Sequence, residues 1–175
     1  MVLGIDASIS STGYAVVADD EFDTAIEFGK LTTKKNNSID KYIDEDNRVF
    51  YITNALAEII DRNNIKSACM EAQFLGRNAK TALQLSRLRG AIMYMLKSKG
   101  VEIEYLTPSE IRKLLLNNGS ATKEEVADYV RGYYKDNQSI QDLGEFNDKP
   151  NKNKNSDIYD ALSIGLAHNK KTKKD

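Results

Sequence analysis

Four carboxylates occupy positions where an acid is out of place unless it does chemistry. Asp6 lies in the apolar run VLGIDAS, between Ile5 and Ala7. Glu71 ends the apolar segment KSACME. Asp157 and Asp160 stand three apart at the head of the segment DIYDALSIGLAH, a spacing that puts both on one face of a helix. Each has an ordinary reading alone: a strand-end acid for Asp6, an exposed strand terminus for Glu71, a helix cap and first-turn acid for the pair. Taken together they point elsewhere. Adjacent strand ends and a helix start converge readily in a sheet protein, and like charges about 4 Å apart repel by about 4 kcal/mol at an effective dielectric near 20. Such a cluster is tolerable around a divalent cation. Oxygen-only ligands favour Mg²⁺ or Mn²⁺, and two such ions would activate water against a phosphodiester. One histidine and one cysteine in the whole chain argue against zinc and against Cys–His chemistry.

The elements that must position these acids follow from periodicity. Residues 2–8 read as a buried strand, 10–13 as a tight turn, and 14–18 and 24–33 as the next two strands. A helix is predicted over about 40–63, with Ile43, Phe50, Ile52, Leu56, Ile59 and Ile60 on its apolar side. A strand over 66–71, a helix over about 78–97 and a strand over 101–106 come next. Gly90 within the second helix costs about 1 kcal/mol against alanine, which suggests close approach of another backbone. Thr107-Pro108-Ser109-Glu110 and Thr122 with Glu125 are helix starts of the capping-box type. Residues 135–155 are polar and read as a loop or insertion before a last helix that begins at Ser156 or Asp157. The result is an α/β fold: a mixed five-stranded sheet, three antiparallel strands then parallel ones, with helices on both faces.

The chain has 175 residues, which suits one domain. The lone Cys69 fits a reducing, cytoplasmic setting, and neither a membrane span nor a signal peptide is apparent. Net charge is −1, yet residues 63–123 hold 10 bases against 4 acids, and the stretch from His168 onward reads as a basic tail with four lysines. A neutral chain can still present a basic face to phosphates.

Four segments, LGIDASISSTGYAVV (3–17), MEAQFLGRNAKTALQLSRLRGAI (70–92), TPSEIRKLLLNNGSATKEEV (107–126) and DIYDALSIGLAH (157–168), resemble the RuvC family of Holliday junction resolvases, within the RNase H-like superfamily. The resemblance implies a homodimeric endonuclease that cuts four-way junctions with paired hydrolytic nicks. It implies that Asp6, Glu71, Asp157 and Asp160 hold two Mg²⁺ ions, with Mn²⁺ as a substitute. Lys123 matches a lysine facing the scissile phosphate, and Phe74 matches an aromatic that contacts junction bases. Arg112, or its neighbour Lys113, falls at another basic position, and Arg77 and Lys80 would flank the DNA. The helix over 78–97 corresponds to the family's dimer helix. Ala7-Ser8 stand where many cellular members have Pro-Gly, and the insertion at 135–155 is long. Both features look like a bacteriophage branch and put in doubt cooperation with RuvA and RuvB branch-migration partners. Competing readings are a broader nuclease for forks, flaps and three-way branches, an RNA-directed or repair nuclease of the same fold, and a non-catalytic DNA-binding module. A sugar-kinase or actin-like ATPase needs two such domains, more than this length allows.

Overall fold

The computed structural model describes residues 1–72, 79–144 and 155–174. Five strands, β1 (Val2–Asp6), β2 (Ser11–Val17), β3 (Ala25–Thr32), β4 (Ser67–Glu71) and β5 (Glu102–Leu106), form one sheet in the order β3-β2-β1-β4-β5. The first three pair antiparallel; β4 runs parallel to β1 and β5 parallel to β4. This is the expected mixed sheet. The helices are α1 (Lys41–Asn63), α2 (Ala79–Ser98), α3 (Pro108–Leu116), α4 (Lys123–Tyr133), α5 (Gln138–Gln141) and α6 (Ser156–Thr172).

Strand alternation sorts the side chains. Leu3, Ile5, Val16, Ala68 and Met70 form one core with Ile52, Leu56, Leu88 and Ile92 of α1 and α2. Val2, Ala15, Val17, Cys69 and Leu106 form the other with Tyr159, Leu162 and Leu166 of α6 and Val126 and Val130 of α4. Burying a side chain of this kind contributes about 1.5–3 kcal/mol. By the same alternation Asp6 shares the α6 side with Val2, and Glu71 shares it with Cys69.

Glycines set the distance between α6 and the sheet. A Cβ on Gly4 would lie 2.3 Å from the Ala161 carbonyl oxygen, and one on Gly13 only 1.9 Å from that of Asp157. Missing side chains on β1 and β2 therefore let the helix backbone rest directly on the strands.

The two capping boxes are present: Thr107 with Glu110 opens α3, and Thr122 with Glu125 opens α4. Four expectations are corrected. The hairpin turn falls earlier than 10–13, because β2 begins at Ser11 and buries Thr12. Ile43 and Phe50 are 55% and 67% exposed, while Asp44 and Glu45 are buried instead. The start of α1 faces polar groups, not core: Asp44 accepts from the Asn36 backbone N–H and pairs with Arg48, and Glu45 accepts from Gln84 and pairs with Arg87. Part of the supposed loop is ordered structure: α5 buries Ile140, and residues 145–154 lie outside the described ones. Finally, the supposed basic tail is largely the end of α6, where Asn169 is buried and donates to the Ala18 carbonyl and Asp23, and Lys173 beyond it pairs with Asp23.

Candidate active site

The four acids gather at one end of the sheet. Asp6 is the last residue of β1 and pairs in register with Gly13 of β2. Its neighbour Ile5 pairs with Met70 on β4, so Glu71 emerges one step further along the adjacent strand. Asp157 and Asp160 descend from the first turns of α6, which Gly4 and Gly13 hold against β1 and β2. Asp157 is not the cap of this helix; Asn155 takes that position without a capping bond, its side chain donating to the Leu143 carbonyl instead. Asp157 instead accepts a short hydrogen bond from the Ser11 hydroxyl at the start of β2. Asp160 accepts one from the Lys123 ammonium at 2.8 Å. Lys123 is the first residue of α4, so the capping box at Thr122 fixes where that cation leaves the chain.

Electrostatics show how closely the acids share one environment. Burial, then Asp160 and Asp157, push the Asp6 carboxyl up to about 7 from its ordinary 3.8, against the pull of Lys123. Burial and Asp160 raise Glu71. Burial, helped by Asp157, raises Asp160 against the pull of Lys123. Burial opposes the charge on Lys123, but Asp160, Asp6 and Glu71 outweigh it and hold the ammonium above its ordinary value. The carboxylates thus carry more negative charge than their surroundings balance. A divalent cation fits this donor set, because it would remove the penalty that each acid imposes on the next. No three of the four bring their oxygens within 4.8 Å of one another, so they form an open set and not a closed cage.

A small cleft beside the acids is lined by Glu71, Asp160, Lys123 and Arg112, among others. Arg112 lines it and Lys113, one residue on, does not; Lys113 is exposed on the outside of α3. Lys80 is exposed at the start of α2 and edges a groove against Lys41 and Tyr42 of α1. Phe74 and Arg77 lie outside the described residues.

Two contributors escaped the sequence reading. Ser11 reads as a turn residue, and nothing local marks its bond to Asp157, 146 residues away. Arg89 stands beside Leu85, Leu88 and Ile92 on the apolar side of α2, a placement that could have flagged it. Burial lowers its guanidinium, while Tyr105, Glu71 and Asp6 support its charge, and it lies over the Tyr105 ring at 5.6 Å.

A mixed sheet of this order, with acids on β1, on β4 and on a helix laid across both, defines an RNase H-like scaffold built around a carboxylate centre. The sequence profile of the crossover junction endodeoxyribonuclease RuvC family matches residues 2–168, and the chain belongs to that family. It is 28% identical over 169 residues to the crossover junction endodeoxyribonuclease RuvC of Dictyoglomus thermophilum, covering 96% of this chain and 95% of that one. It is 30% identical over 167 residues to that of Prosthecochloris aestuarii, covering 95% and 79%. Among solved structures it is similar to Thermus thermophilus RuvC in complex with Holliday junction substrate. There the TM-score is 0.74 at 26% identity, over 99% of this chain and 95% of the other.

Proposed function

We propose that this chain is a single-domain nuclease that resolves four-way DNA junctions by paired phosphodiester hydrolysis. The observation that carries the reading is the convergence of Asp6, Glu71, Asp157 and Asp160, with Lys123 bonded to Asp160, at one end of a RuvC-type sheet. The four carboxylates would hold two Mg²⁺ ions, with Mn²⁺ as a substitute. When bound, these ions supply an activated water and neutralise the phosphate. The chain's own residues do the rest. Ser11 fixes the rotamer of Asp157. Lys123, half-exposed at the cleft, stabilises negative charge developing on the phosphate. Arg112 faces the same cleft and holds a neighbouring phosphate. Lys80, Arg77 and the alternative Lys113 are assigned to other phosphates by the family resemblance alone. Phe74 contacts junction bases.

A homodimer suits a two-fold symmetric junction. Its support is α2, which exposes Leu83 by 71% and Tyr94 by 74%; a Cβ on Gly90 between them would meet nothing within 4 Å inside the protomer. Among the described residues no helix is long and apolar enough to cross a membrane, and the proposed setting is the cytoplasm of a bacterial or phage-infected cell. Ala7-Ser8 in place of Pro-Gly supports a bacteriophage branch that works without RuvA and RuvB.

The test is cleavage in Mg²⁺ of matched four-way junction, three-way branch, flap and linear duplex. Symmetric paired nicks confined to the four-way junction are expected. Cutting of every branched form would replace the dedicated resolvase with a general debranching nuclease. Asp6→Asn is expected to bind the junction and not cut it; Mg²⁺-dependent cutting by that variant would overturn the site.

A further inference from the structure

The chain's only cysteine and only histidine, 99 residues apart, meet on the α6 side of the sheet. Cys69 and Glu104 are register partners on the parallel strands β4 and β5, so their side chains stand next to each other on one face. His168, on the last turns of α6, closes over them. The ligand atoms of all three lie within 4.8 Å of one another, the one such group among the described residues. We propose that Cys69, Glu104 and His168 form a binding site for a thiophilic divalent cation such as Zn²⁺, separate from the carboxylate centre.

The donor set carries the choice of metal. One thiolate, one imidazole and one carboxylate, with a water as fourth ligand, suit tetrahedral Zn²⁺ and do not suit Mg²⁺. The surroundings resemble those of built sites. The His168 Nε2 is 3.2 Å from the Ser67 hydroxyl, which orients the ring, and its Nδ1 is 2.6 Å from a Glu104 oxygen, a hydrogen bond that an ion ligated by both groups would replace. Cys69 is fully buried. Its sulfur stands beside the register-paired Glu104 carboxylate. As the sulfur–metal bond forms, the thiol proton leaves to solvent. The Lys171 ammonium, paired with Glu104, is the competitor; its side chain is 40% exposed and can turn outward as the cation enters.

The position gives the site a consequence. β4 carries Cys69 and, two residues on, Glu71; α6 carries His168 and, two turns back, Asp160. A bound ion would tie β4, β5 and α6 together within two residues of Glu71 on β4.

The experiment is titration with Co²⁺ of the full chain carrying Asp6→Asn and Asp160→Asn, in excess Mg²⁺ so that the carboxylate centre does not take the probe. One equivalent is expected to produce a thiolate-to-cobalt charge-transfer band and the intense visible bands of a four-coordinate ion, both bleached by Zn²⁺. Because Cys69 is the sole cysteine, that band assigns the sulfur even if Cys69→Ser does not fold. Where it folds, Cys69→Ser is expected to lose the band, and His168→Gln to weaken binding at least about ten-fold. Folded protein with no charge-transfer band, or a band that persists in Cys69→Ser, overturns the site.

Discussion

Replacing Gly13 by alanine puts a methyl group where the backbone of Asp157 already lies. The new Cβ would stand 1.9 Å from the Asp157 carbonyl oxygen and 2.5 Å from its carbon, while real Cβ atoms essentially never come within 3.0 Å. Both clashing atoms are backbone, so no rotamer change relieves the contact. The start of α6 must lift by about 1.1 Å or β2 must bend away by as much. Gly13 is the register partner of Asp6, so the displacement opens the gap between Asp6 and the α6 acids. Overpacking of this kind costs about 1–3 kcal/mol of stability. A misplacement of about 1 Å in a catalytic group costs about 100-fold in rate. Single-turnover cleavage of a synthetic four-way junction in Mg²⁺ should therefore fall about 100-fold, with junction affinity measured without metal nearly unchanged. Gly132→Ala is the control. That glycine is exposed in the last turn of α4 with nothing within 4 Å of its Cβ, and the change should add less than about 1 kcal/mol without altering cleavage. A Gly13→Ala enzyme that folds and cuts at the parent rate would refute the idea that this backbone contact sets the spacing of the acids.

Three other outcomes are expected. In metal-free protein the unfolded chain releases the Asp6 proton near 3.8 and the folded chain near 7, so between these values the folded state holds more protons and this group's effect on stability worsens as pH rises. Urea midpoints of the parent and Asp6→Asn should coincide near pH 4 and diverge by pH 7 in favour of the variant; a parent that gains on the variant over that range contradicts the raised carboxyl. Lys123→Ala removes the 2.8 Å bond to Asp160 and should lower the cleavage rate by about 100-fold with little change in junction binding, read by single-turnover kinetics and gel shift. Tyr94→Asp places a charge on the exposed side of α2 and should convert dimers to monomers in light scattering; a parent that is already monomeric at micromolar concentration removes the basis for the dimer.

What the sequence made legible was local or periodic. The capping boxes at Thr107 and Thr122 need only residues three apart, and both are present. Asp6 and Glu71 stood out because they interrupt or end an apolar run, and Asp157 and Asp160 because they stand three apart at the head of one. What stayed hidden depends on partners far along the chain. Periodicity placed Ile43 and Phe50 on an inward face, but it could not show that the first turns of α1 overlook Asn36 and the polar start of α2. Gly4 and Gly13 look like ordinary strand glycines until α6 is laid over them. Cys69 and His168 gave no sign of each other, because counting one of each argued against a site and only the fold brings them together.

The bond from Ser11 to Asp157 spans 146 residues, and it joins an early strand of the fold to a late helix. Contacts this distant in sequence form only after a large loop has closed. During synthesis, a chain that has emerged only as far as α5 holds the residues of all five strands yet carries neither Asp157 nor Asp160. With the acids in their proposed roles, such a chain is unable to cut DNA, and the face of β1 and β2 that α6 covers stays open, until the last helix has docked.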